Sequence, residues 1–374
     1  MRVAIVSESF LPHVNGVTNS VVRVLEHLRR TGHPAIVLAP GSRPRRCEGA
    51  RVVGLPSVPM PGYPQVRVSV ATAGSIAREL ATFQPDVVHL ASPFTVGGPA
   101  VRAAARLDIP VVAVYQTDVA GFATRYRLGA TGEVVWHRIR SIHNRARLTL
   151  APSRTAAADL CRHGVERVEC WPRGVDTAVF SPRHRDPVLH HRLGGGRVLV
   201  GYLGRLAPEK QVEDLMALDG LPGVQLVVIG DGPARGVLQR ALPSARFLGL
   251  LQGRALSRAV ATLDVAVQPG PYETFCQAAQ EAMASGVPVV AVGAGGVAEL
   301  VDNSRTGWLY PPGDLSLLRA AVADLAGDPA KRRAMGAAAL QAVRSRTWPV
   351  VNAQLMAHYD AALAASKPRE ARVD

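Results

Sequence analysis

The sequence predicts an α/β protein of two Rossmann-like domains, each built on a doubly wound parallel sheet, that face each other across a central cleft. Short apolar runs alternate along the chain with longer amphipathic stretches, which is the rhythm of folds with parallel strands. The rhythm breaks once, near residue 180, and then begins again. With 374 residues and 48% hydrophobic content, the chain can fill the cores of two such domains.

The first series of elements belongs to a domain predicted over residues 1–180. Its strand candidates are short runs rich in Val, Ile, Leu and Ala, typical of parallel strands buried on both faces. They are Arg2–Ser7, Pro34–Ala39, Arg51–Leu55, Asp86–Leu90, Val111–Tyr115 and Leu148–Pro152. The helices between them are predicted at 18–31, 71–83, 97–107, 131–146 and 153–163. A charged, proline-rich stretch at 174–187 is interpreted as the link between the domains.

The second series belongs to a domain predicted over residues 181–348. Its strand candidates are Val198–Leu203, Val224–Ile229, Arg246–Leu248, Val265–Gln268 and Val287–Val292. Helices are predicted near 211–217, 233–241, 253–262, 275–285, 314–327 and 329–346, and a last one at 349–366 that packs back on the first domain. Open parallel sheets bind ligands outside the carboxyl ends of their strands, so functional motifs are expected in the turns from strand to helix.

The composition excludes several classes of protein. No apolar run approaches the ~18–20 residues that span a bilayer, and no low-complexity block predicts disorder. The four cysteines are scattered without a C-x-x-C pair, which argues against a disulfide framework or a zinc knuckle and favours a reducing cytoplasm.

The turn after the first predicted strand holds Asn15 and Gly16 directly before a helix. A glycine here lets backbone amides approach a phosphate near the helix N-terminus, where the helix dipole favours an anion. A plain loop glycine followed by an Asn or Thr helix cap explains the same residues. The turn alone leaves both interpretations open.

The first turn of the second domain reads GRLAPEKQVEDL and carries Arg205 and Lys210. Two cations beside a helix N-terminus can hold a diphosphate and stabilise it as it becomes a leaving group. A surface pair balanced by Glu209 and Glu213 is the alternative. Because the turn lies at the predicted ligand crevice, its position favours the phosphate site.

The most informative segment reads PGPYETFCQAAQEAMASGVPVVAVGAGGVAELV and contains Glu273 and Glu281. Carboxylates accept hydrogen bonds from vicinal hydroxyls, so one suits a donor sugar and the other a ribose. Eight residues of continuous helix would separate the two by about 12 Å, roughly the reach across a diphosphate between two sugars. Two glutamates at this spacing are also common on surface helices, so the spacing alone is not specific.

The full amino-acid sequence of this segment resembles that of glycosyltransferase family 4, the retaining GT-B transferases. The resemblance rests on E-T-F-x-x-x-x-x-E-A-M-A-S-G-x-P-V-V-A, followed by Gly295–Gly296 and Glu299–Leu300. Further segments agree in order over nearly the whole chain: FLPHVNGVTNSVVRVLEHLRRTGH, APSRTAAADL, RGVDTAVFSP, GYLGRLAPEK and IGDGPAR. The opening segment and AVYQTDVAGFA look more narrowly like actinobacterial GDP-mannose-dependent alpha-mannosyltransferases that build cell-envelope glycolipids.

The resemblance implies roles for the matching positions. Arg205 and Lys210 would clamp the donor diphosphate during catalysis, beside Gly204. Glu273 would bind hydroxyls of the donor sugar, and Glu281 would hold the nucleotide ribose. The first domain's loop would close over the diphosphate at Gly16. The backbone amides beside the phosphate and the sugar would be those of Thr274, Phe275, Cys276 and Gln277.

Two positions depart from the family pattern. Many members have a histidine where this chain has Gln116 before Thr117 and Asp118, so the role of that histidine is not carried over. Gln116 and Asp118 are therefore assigned only to the acceptor or sugar side. Many members also have glycine where Cys276 stands, a change that keeps an amide contact but narrows the space near the sugar.

Neither a metal nor a cofactor is expected besides the nucleotide-sugar donor, which the resemblance suggests is GDP-mannose. The sequence holds no D-x-D and no H-x-x-x-H pair, so Arg205, Lys210 and helix dipoles would neutralise the diphosphate. A family member that uses a UDP-sugar to transfer glucose, sulfoquinovose or N-acetylglucosamine is the alternative. A nicotinamide-dependent oxidoreductase would need a strand–GxGxxG–helix fingerprint, which is missing.

The net charge of +14 is concentrated in residues 1–180, which hold twenty-two basic and twelve acidic side chains. Nucleic-acid binding would explain this charge but not the glutamate pair, and no basic-aromatic run occurs. A basic half is attracted to anionic membrane surfaces. With the resemblance, it predicts a cytoplasmic enzyme, peripheral on the inner face of the plasma membrane, that meets a lipid-linked acceptor.

The basic residues of the first domain form three clusters: Arg23–Arg30, Arg43–Arg51 and Arg138–Arg147. In the last cluster, Trp136 and neighbouring apolar residues alternate with arginines. This pattern fits an amphipathic helix at a membrane interface, and it equally fits a helix that packs on the domain core.

Overall fold

The computed structural model describes residues 1–13, 15–41, 43–60, 63–117 and 132–365. The chain divides into two compact units. The first comprises Met1–Pro172 together with the chain from Val351 onward, and the second comprises Arg173–Val350. The change of unit lies at Arg173 and not at residue 180, because Val175 and Phe180 are buried in the core of the second unit.

The first unit is built on a mainly parallel sheet. Within the described residues, its strands are β1 (Val3–Ser7), β2 (Ala35–Pro40), β3 (Arg46–Cys47), β4 (Ala50–Leu55), β5 (Ser57–Met60), β6 (Tyr63–Ser69), β7 (Val87–Ala91), β8 (Val111–Val114), β9 (Leu148–Ala151) and β10 (Val168–Cys170). Eight of these described strands form a sheet in the order β10-β9-β8-β7-β1-β2-β4-β3. Only β3 pairs antiparallel in it. Strands β5 and β6 form a separate hairpin.

Helices cover both faces of this sheet. They are α1 (Gly16–Arg30), α2 (Ala73–Phe83), α3 (Gly97–Arg106), α4 (Gly132–His143) and α5 (Arg154–Arg162). The side chains of Asn15, Thr72 and Ser153 accept hydrogen bonds from the first turns of α1, α2 and α5, which fixes where these helices begin. Alternate residues of β1 point to opposite helix layers, because successive side chains of a strand face opposite ways.

The second unit is a smaller sheet with all its described strand pairs parallel. Its strands are β11 (Val198–Leu203), β12 (Val224–Ile229), β13 (Arg246–Gly249), β14 (Val265–Gln268), β15 (Val289–Val292) and β16 (Gly307–Tyr310), in the order β13-β12-β11-β14-β15-β16. Its helices are α6 (Pro187–Gly194), α7 (Arg235–Ala241), α8 (Gly253–Thr262), α9 (Gln277–Ala284), α10 (Leu315–Gly327) and α11 (Pro329–Val343). The helix predicted at 211–217 is a 3₁₀ segment, Val212–Leu218.

The stretch interpreted as a link is anchored to the second unit. Asp186 caps α6 and pairs with Arg258 of α8. Asp264 binds Arg185 and His190, each with a nitrogen–oxygen distance of 2.7 Å. These ion pairs tie the residues before β11 to the end of α8.

The last helix, α12 (Trp348–Ala364), returns to the first unit. Its buried side chains Leu355 and Tyr359 join the core formed by α1 and the sheet. The hydroxyl of Tyr359 lies 2.7 Å from Nδ1 of His89 in β7. Trp171 donates its indole N–H to the carbonyl of Val351 at 2.9 Å. The first unit is therefore completed by a segment from the far end of the chain.

Candidate active site

The turns that follow β11, β12 and β14 lie together at one edge of the second sheet, because these neighbouring strands are parallel. The turn after β11 begins with Gly204 at φ +151° and continues to Arg205, whose carbonyl accepts a hydrogen bond from Tyr202 at 2.9 Å. A Cβ on Gly230, in the turn after β12, would lie 1.8 Å from the carbonyl oxygen of Gly204. Glycine at 230 therefore allows the two turns to touch.

Lys210 and Glu273 form an ion pair at this edge. The distance from Nζ to Oε1 is 2.6 Å, and the side chains are 26% and 19% exposed. Burial acts against the charge of Lys210, but the attraction and hydrogen bond of Glu273 outweigh it and raise the pKa of Lys210. The backbone of Lys210 also packs closely on Gly270 after β14. The pair therefore joins two turns that are 63 residues apart in sequence.

Arg205 projects further into solvent than Lys210. Its side chain is 51% exposed, and one guanidinium nitrogen lies 3.7 Å from the carboxylate of Glu209, which is only 3% exposed. Glu209 thus restrains Arg205 while leaving most of its guanidinium accessible. Of the two carboxylates named as surface partners from sequence, Glu209 is instead buried beneath the turn.

The segment that carries Glu273 is held by the two glycines that follow β15. The amide of Gly296 donates to the carbonyl of Glu273 at 2.6 Å. A Cβ on Gly295 would lie 2.4 Å from the carbonyl oxygen of Pro271, and one on Gly296 equally close to that of Thr274. Any side chain at either position would displace the Glu273 turn, which explains why two glycines stand here.

Helix α9 begins at Gln277, so residues 274–276 are not helical. This later start of the helix corrects two predictions made from the sequence. Glu281 is the fifth residue of α9, about one turn into the helix, whereas the helix predicted at 275–285 would place it seventh, nearly two turns in. The separation of about 12 Å assumed a helix from Glu273 onward, which the structure does not have.

Cys276 occupies the cap position of α9 with φ +73°, in the left-handed region that favours glycine. Its side chain is 2% exposed, and burial raises the pKa of the thiol far above its usual range. The thiol is therefore neutral and packed, without the character of a nucleophile. The backbone explains why glycine suits this position in related proteins.

The side chain of Phe275 is buried in the core of the second unit, so only its backbone can face a ligand. Gln277 and Gln280 donate their side-chain amides to the carbonyls of Gly174 and Arg173, each at 3.0 Å. Burial lowers the pKa of the Arg173 guanidinium to about 10. These two hydrogen bonds fix the position of the first turn of α9. They therefore also fix residues 274–277, whose backbone amides lie at the start of that helix.

In the first unit, α1 begins at Gly16 and is capped by Asn15, whose side-chain oxygen accepts from the amide of Thr18 at 2.9 Å. A Cβ on Gly16 would meet no described atom within 4 Å. Of the two interpretations of this turn, the helix cap by Asn15 is therefore observed, and Gly16 is exposed at the start of the helix.

Gln116 follows β8 and is 7% exposed. The next residue, Thr117, accepts a hydrogen bond from the hydroxyl of Ser92 at 3.0 Å, which joins the turns after β8 and β7. Asp118, assigned with Gln116 to the acceptor or sugar side, lies outside the described residues.

Sequence reasoning missed Glu8, which directly follows β1. Its carboxylate accepts from the amides of Phe94 and Val96, at 2.6 and 2.8 Å, and from the hydroxyl of Thr95 at 2.5 Å. Burial raises the pKa of Glu8, and these hydrogen bonds act in the opposite direction. Helix α3 has no side-chain cap of its own at Val96, so Glu8 supplies the missing acceptors. The sequence signal that could have identified Glu8 is an acidic residue directly after a predicted buried strand.

The ranges that the structure describes contain neither a candidate metal centre nor a membrane-spanning helix. No group of three or more His, Cys, Asp or Glu side chains in them could hold a metal ion. No described helix is both long and apolar enough to cross a membrane. The chemistry available at the second sheet edge is a pair of cations, Arg205 and Lys210, beside carboxylates and the backbone amides at the start of α9.

The fold is that of the GT-B glycosyltransferases, as the sequence predicted. A sucrose-phosphate synthase from Thermosynechococcus elongatus is 20% identical with a TM-score of 0.82, covering 97% of this chain and 99% of that one. WaaG, a glycosyltransferase involved in lipopolysaccharide biosynthesis, is 15% identical with a TM-score of 0.69, covering 94% and 98%. These similarities define the fold.

The chain belongs to glycosyltransferase family 4. The model of Glycosyltransferase Family 4 matches residues 14–179, and that of Glycosyl transferases group 1 matches residues 197–328. A GDP-mannose-dependent alpha-mannosyltransferase of Mycolicibacterium smegmatis is 50% identical over 97% of this chain and 98% of its own length. One of Mycobacterium tuberculosis is 47% identical over 96% and 97%. The family predicted from sequence is confirmed, and the protein is a glycosyltransferase.

Proposed function

We propose that this protein transfers mannose from GDP-mannose, with retention of configuration, to a lipid or lipoglycan acceptor. The observation that carries the proposal is the Lys210–Glu273 pair, set beside Arg205 at the strand ends of a family 4 fold. The choice of GDP-mannose is supported by three relatives named GDP-mannose-dependent alpha-mannosyltransferase, which are 44–50% identical over most of the chain.

In this proposal, the second unit binds the donor. Arg205 and Lys210 neutralise the diphosphate, since guanidinium and ammonium groups hold phosphate oxygens through charge-assisted hydrogen bonds. Glu273 accepts hydrogen bonds from the donor sugar with its remaining lone pairs, because Lys210 occupies only part of the carboxylate. Glu281 binds the ribose, and the amides of residues 274–277 lie beside phosphate and sugar. In the first unit, Gly16 is assigned to donor binding, and Gln116 and Asp118 are assigned to the acceptor or sugar side.

The reaction needs no nucleophile from the protein. The acceptor oxygen attacks the anomeric carbon on the face from which the diphosphate leaves, and the acceptor proton passes to the leaving phosphate oxygen. The bond from the anomeric carbon to the donor oxygen breaks as the new glycosidic bond forms, so configuration is retained. Cationic groups that are already in place stabilise the charge that develops on the diphosphate.

Donor choice is tested by transfer and by binding. Purified protein is expected to release GDP from GDP-mannose in the presence of a membrane lipid extract, and GDP-mannose is expected to raise its melting temperature because only the folded state binds it. UDP-glucose and UDP-N-acetylglucosamine serve as matched donors. Stronger protection and turnover with a UDP-sugar would replace mannosyl transfer by the UDP-sugar alternative.

Metal independence is a separate expectation. Because Arg205, Lys210 and a helix start stand where the diphosphate charge must be neutralised, turnover is expected to persist in excess EDTA. Initial rates are compared with and without EDTA, and then with added Mg²⁺. Loss of activity in EDTA that Mg²⁺ restores would show that a divalent ion takes part.

For the acceptor, we propose a lipid-linked molecule reached from the cytoplasmic face of the membrane, with docking driven by charge. Charge is the main available force because the largest apolar side chains of α4 face the core, whereas Val134, at 67% exposed, offers only a small apolar side chain to a membrane. Trp136 is 8% exposed and stacked on His163, with ring centroids 3.7 Å apart, and Ile139 and Ile142 are both buried. Docking by insertion of this helix is therefore no longer part of the proposal.

Charge-driven docking predicts strong salt dependence. Each Lys or Arg near an anionic surface contributes about 1 kcal/mol, and the attraction is screened within a Debye length of ~10 Å at 0.1 M salt. Co-sedimentation is expected with phosphatidylglycerol-containing vesicles at low ionic strength and not with phosphatidylcholine vesicles, and 0.5 M NaCl is expected to release the protein. Equal binding to both vesicle types would contradict the model and favour a soluble acceptor.

A further inference from the structure

A groove of ≈ 380 Å³ lies in the first unit. Its lining includes the apolar residues Val101, Ile109 and Val111. It also includes three arginines, Arg145, Arg147 and Arg167. The valines are buried and the arginines are exposed, so an apolar base is bordered by cationic groups. Pockets for small molecules begin at about this volume, ~300 Å³.

The topology of the sheet explains why these residues meet. Val111 begins β8, Arg147 directly precedes β9, and Arg167 directly precedes β10. These three strands are parallel neighbours in the order β10-β9-β8. Their amino-terminal ends therefore share one edge, with adjacent strands about 4.8 Å apart. The turns that carry Glu8 and Gln116 follow the carboxyl ends of β1 and β8, at the opposite edge.

Two of the three arginines at this edge are not neutralised by any described residue. Arg145 and Arg147 have no hydrogen-bond or ion-pair partner for their guanidinium groups among the described residues. Arg167 is held by Glu166 at 2.9 Å and by the carbonyl of Asn144 at 2.8 Å, which orients it along the border of the groove. Glu166 offsets one of the three positive charges, so the groove keeps a net positive charge.

We propose that this groove binds a phosphate ester whose organic part is apolar. A guanidinium offers paired donors that match two phosphate oxygens, and it is more weakly hydrated than an ammonium. Arg145 and Arg147 are in place for such a phosphate, and the base formed by Val101, Ile109 and Val111 suits an apolar organic group. A bilayer lipid headgroup and a soluble ester both carry this chemistry, and binding to vesicles distinguishes the two sources. The lining of the groove includes none of the residues assigned to donor or acceptor binding.

The test uses dihexanoyl phosphatidic acid below its micelle concentration as the soluble ester, titrated calorimetrically into the full chain. Binding is expected to weaken at least tenfold in the double variant Arg145→Gln/Arg147→Gln. The control, Arg333→Gln/Arg344→Gln, removes the same charge from exposed positions of the second unit and is expected to bind like the parent. Inorganic phosphate is expected to bind at least tenfold more weakly than the ester, because it cannot use the apolar base.

Vesicles of phosphatidylcholine with long-chain phosphatidic acid distinguish the two sources. Here the control is Arg78→Gln/Arg162→Gln, which removes the same charge from exposed positions of the first unit outside the groove. Co-sedimentation that the groove variant loses and this control keeps identifies a bilayer headgroup, whereas binding of the soluble ester alone identifies a soluble ligand. The proposal is overturned if the groove variant binds the ester as tightly as the control does, or if inorganic phosphate binds as tightly as the ester. Arg147→Gln alone, checked by its melting temperature, repeats the test should the double variant fold poorly.

Discussion

Replacing Lys210 or Arg205 by alanine is expected to lower turnover about 100-fold or more, the scale of losing one preorganised group that stabilises developing charge. Lys210→Ala removes the ammonium that lies 2.6 Å from Glu273 and leaves a carboxylate beside the place proposed for an anionic diphosphate. Arg205→Ala removes a guanidinium that is half exposed and lies 3.7 Å from Glu209. Initial rates at saturating donor measure both losses.

The controls are matched pairs elsewhere in the second unit. Lys331 pairs with Asp324 at 2.5 Å, and Arg305 lies 3.6 Å from Asp302. Lys331→Ala and Arg305→Ala remove the same kinds of charge and are expected to keep turnover near that of the parent. If Lys210→Ala and Arg205→Ala both turned over within about threefold of the parent, the diphosphate assignment would be wrong.

Glu273→Ala is expected to impair the rate of transfer, and Glu281→Ala is expected to impair nucleotide binding. Glu273→Ala should lower the rate about 100-fold while leaving affinity for GDP little changed, because the Lys210 ammonium it releases still attracts the diphosphate. Glu281→Ala should weaken GDP binding about tenfold, the effect of one lost hydrogen bond to a charged acceptor at ~1.4 kcal/mol. Calorimetric titration with GDP and single-turnover rates separate the two.

The conservative variants serve as controls for this pair. Glu281→Gln keeps one acceptor oxygen and should recover part of the lost affinity, whereas Glu273→Gln removes the charge beside Lys210 and should stay slow. If Glu273→Ala lost more GDP affinity than Glu281→Ala, the two assignments would be reversed, with Glu273 at the ribose and Glu281 at the donor sugar.

The sequence predicted the two parallel sheets because their strands leave a strong local signal. Strands buried on both faces read as short Val- and Ala-rich runs, such as Val224–Ile229 and Val289–Val292. The hairpin of β5 and β6 was missed because its residues lack such a run. The Val212–Leu218 segment reads as a helix from its apolar spacing, and spacing cannot distinguish a 3₁₀ helix from an α-helix there.

The candidate site was predicted only in part, because its key contacts are long-range. The motif named Lys210 and Glu273 separately, but local sequence carries no information about an ion pair across 63 residues. The helix was predicted to begin at residue 275, whereas α9 begins at Gln277. The reason is that Cys276 adopts a left-handed backbone conformation, which its residue type does not predict. Likewise, the amphipathic pattern around Trp136 could not distinguish a membrane from the core into which that side chain packs.

The return of α12 to the first unit has a consequence for the order in which the protein can mature on the ribosome. Tyr359 and its partner His89 are 270 residues apart. Synthesis at ~5–20 residues per second separates their appearance by roughly 15–50 s. During that interval all residues of the second unit emerge, whereas the first-made half still lacks the helix that covers part of its sheet. The domain translated first is thus the last to be finished.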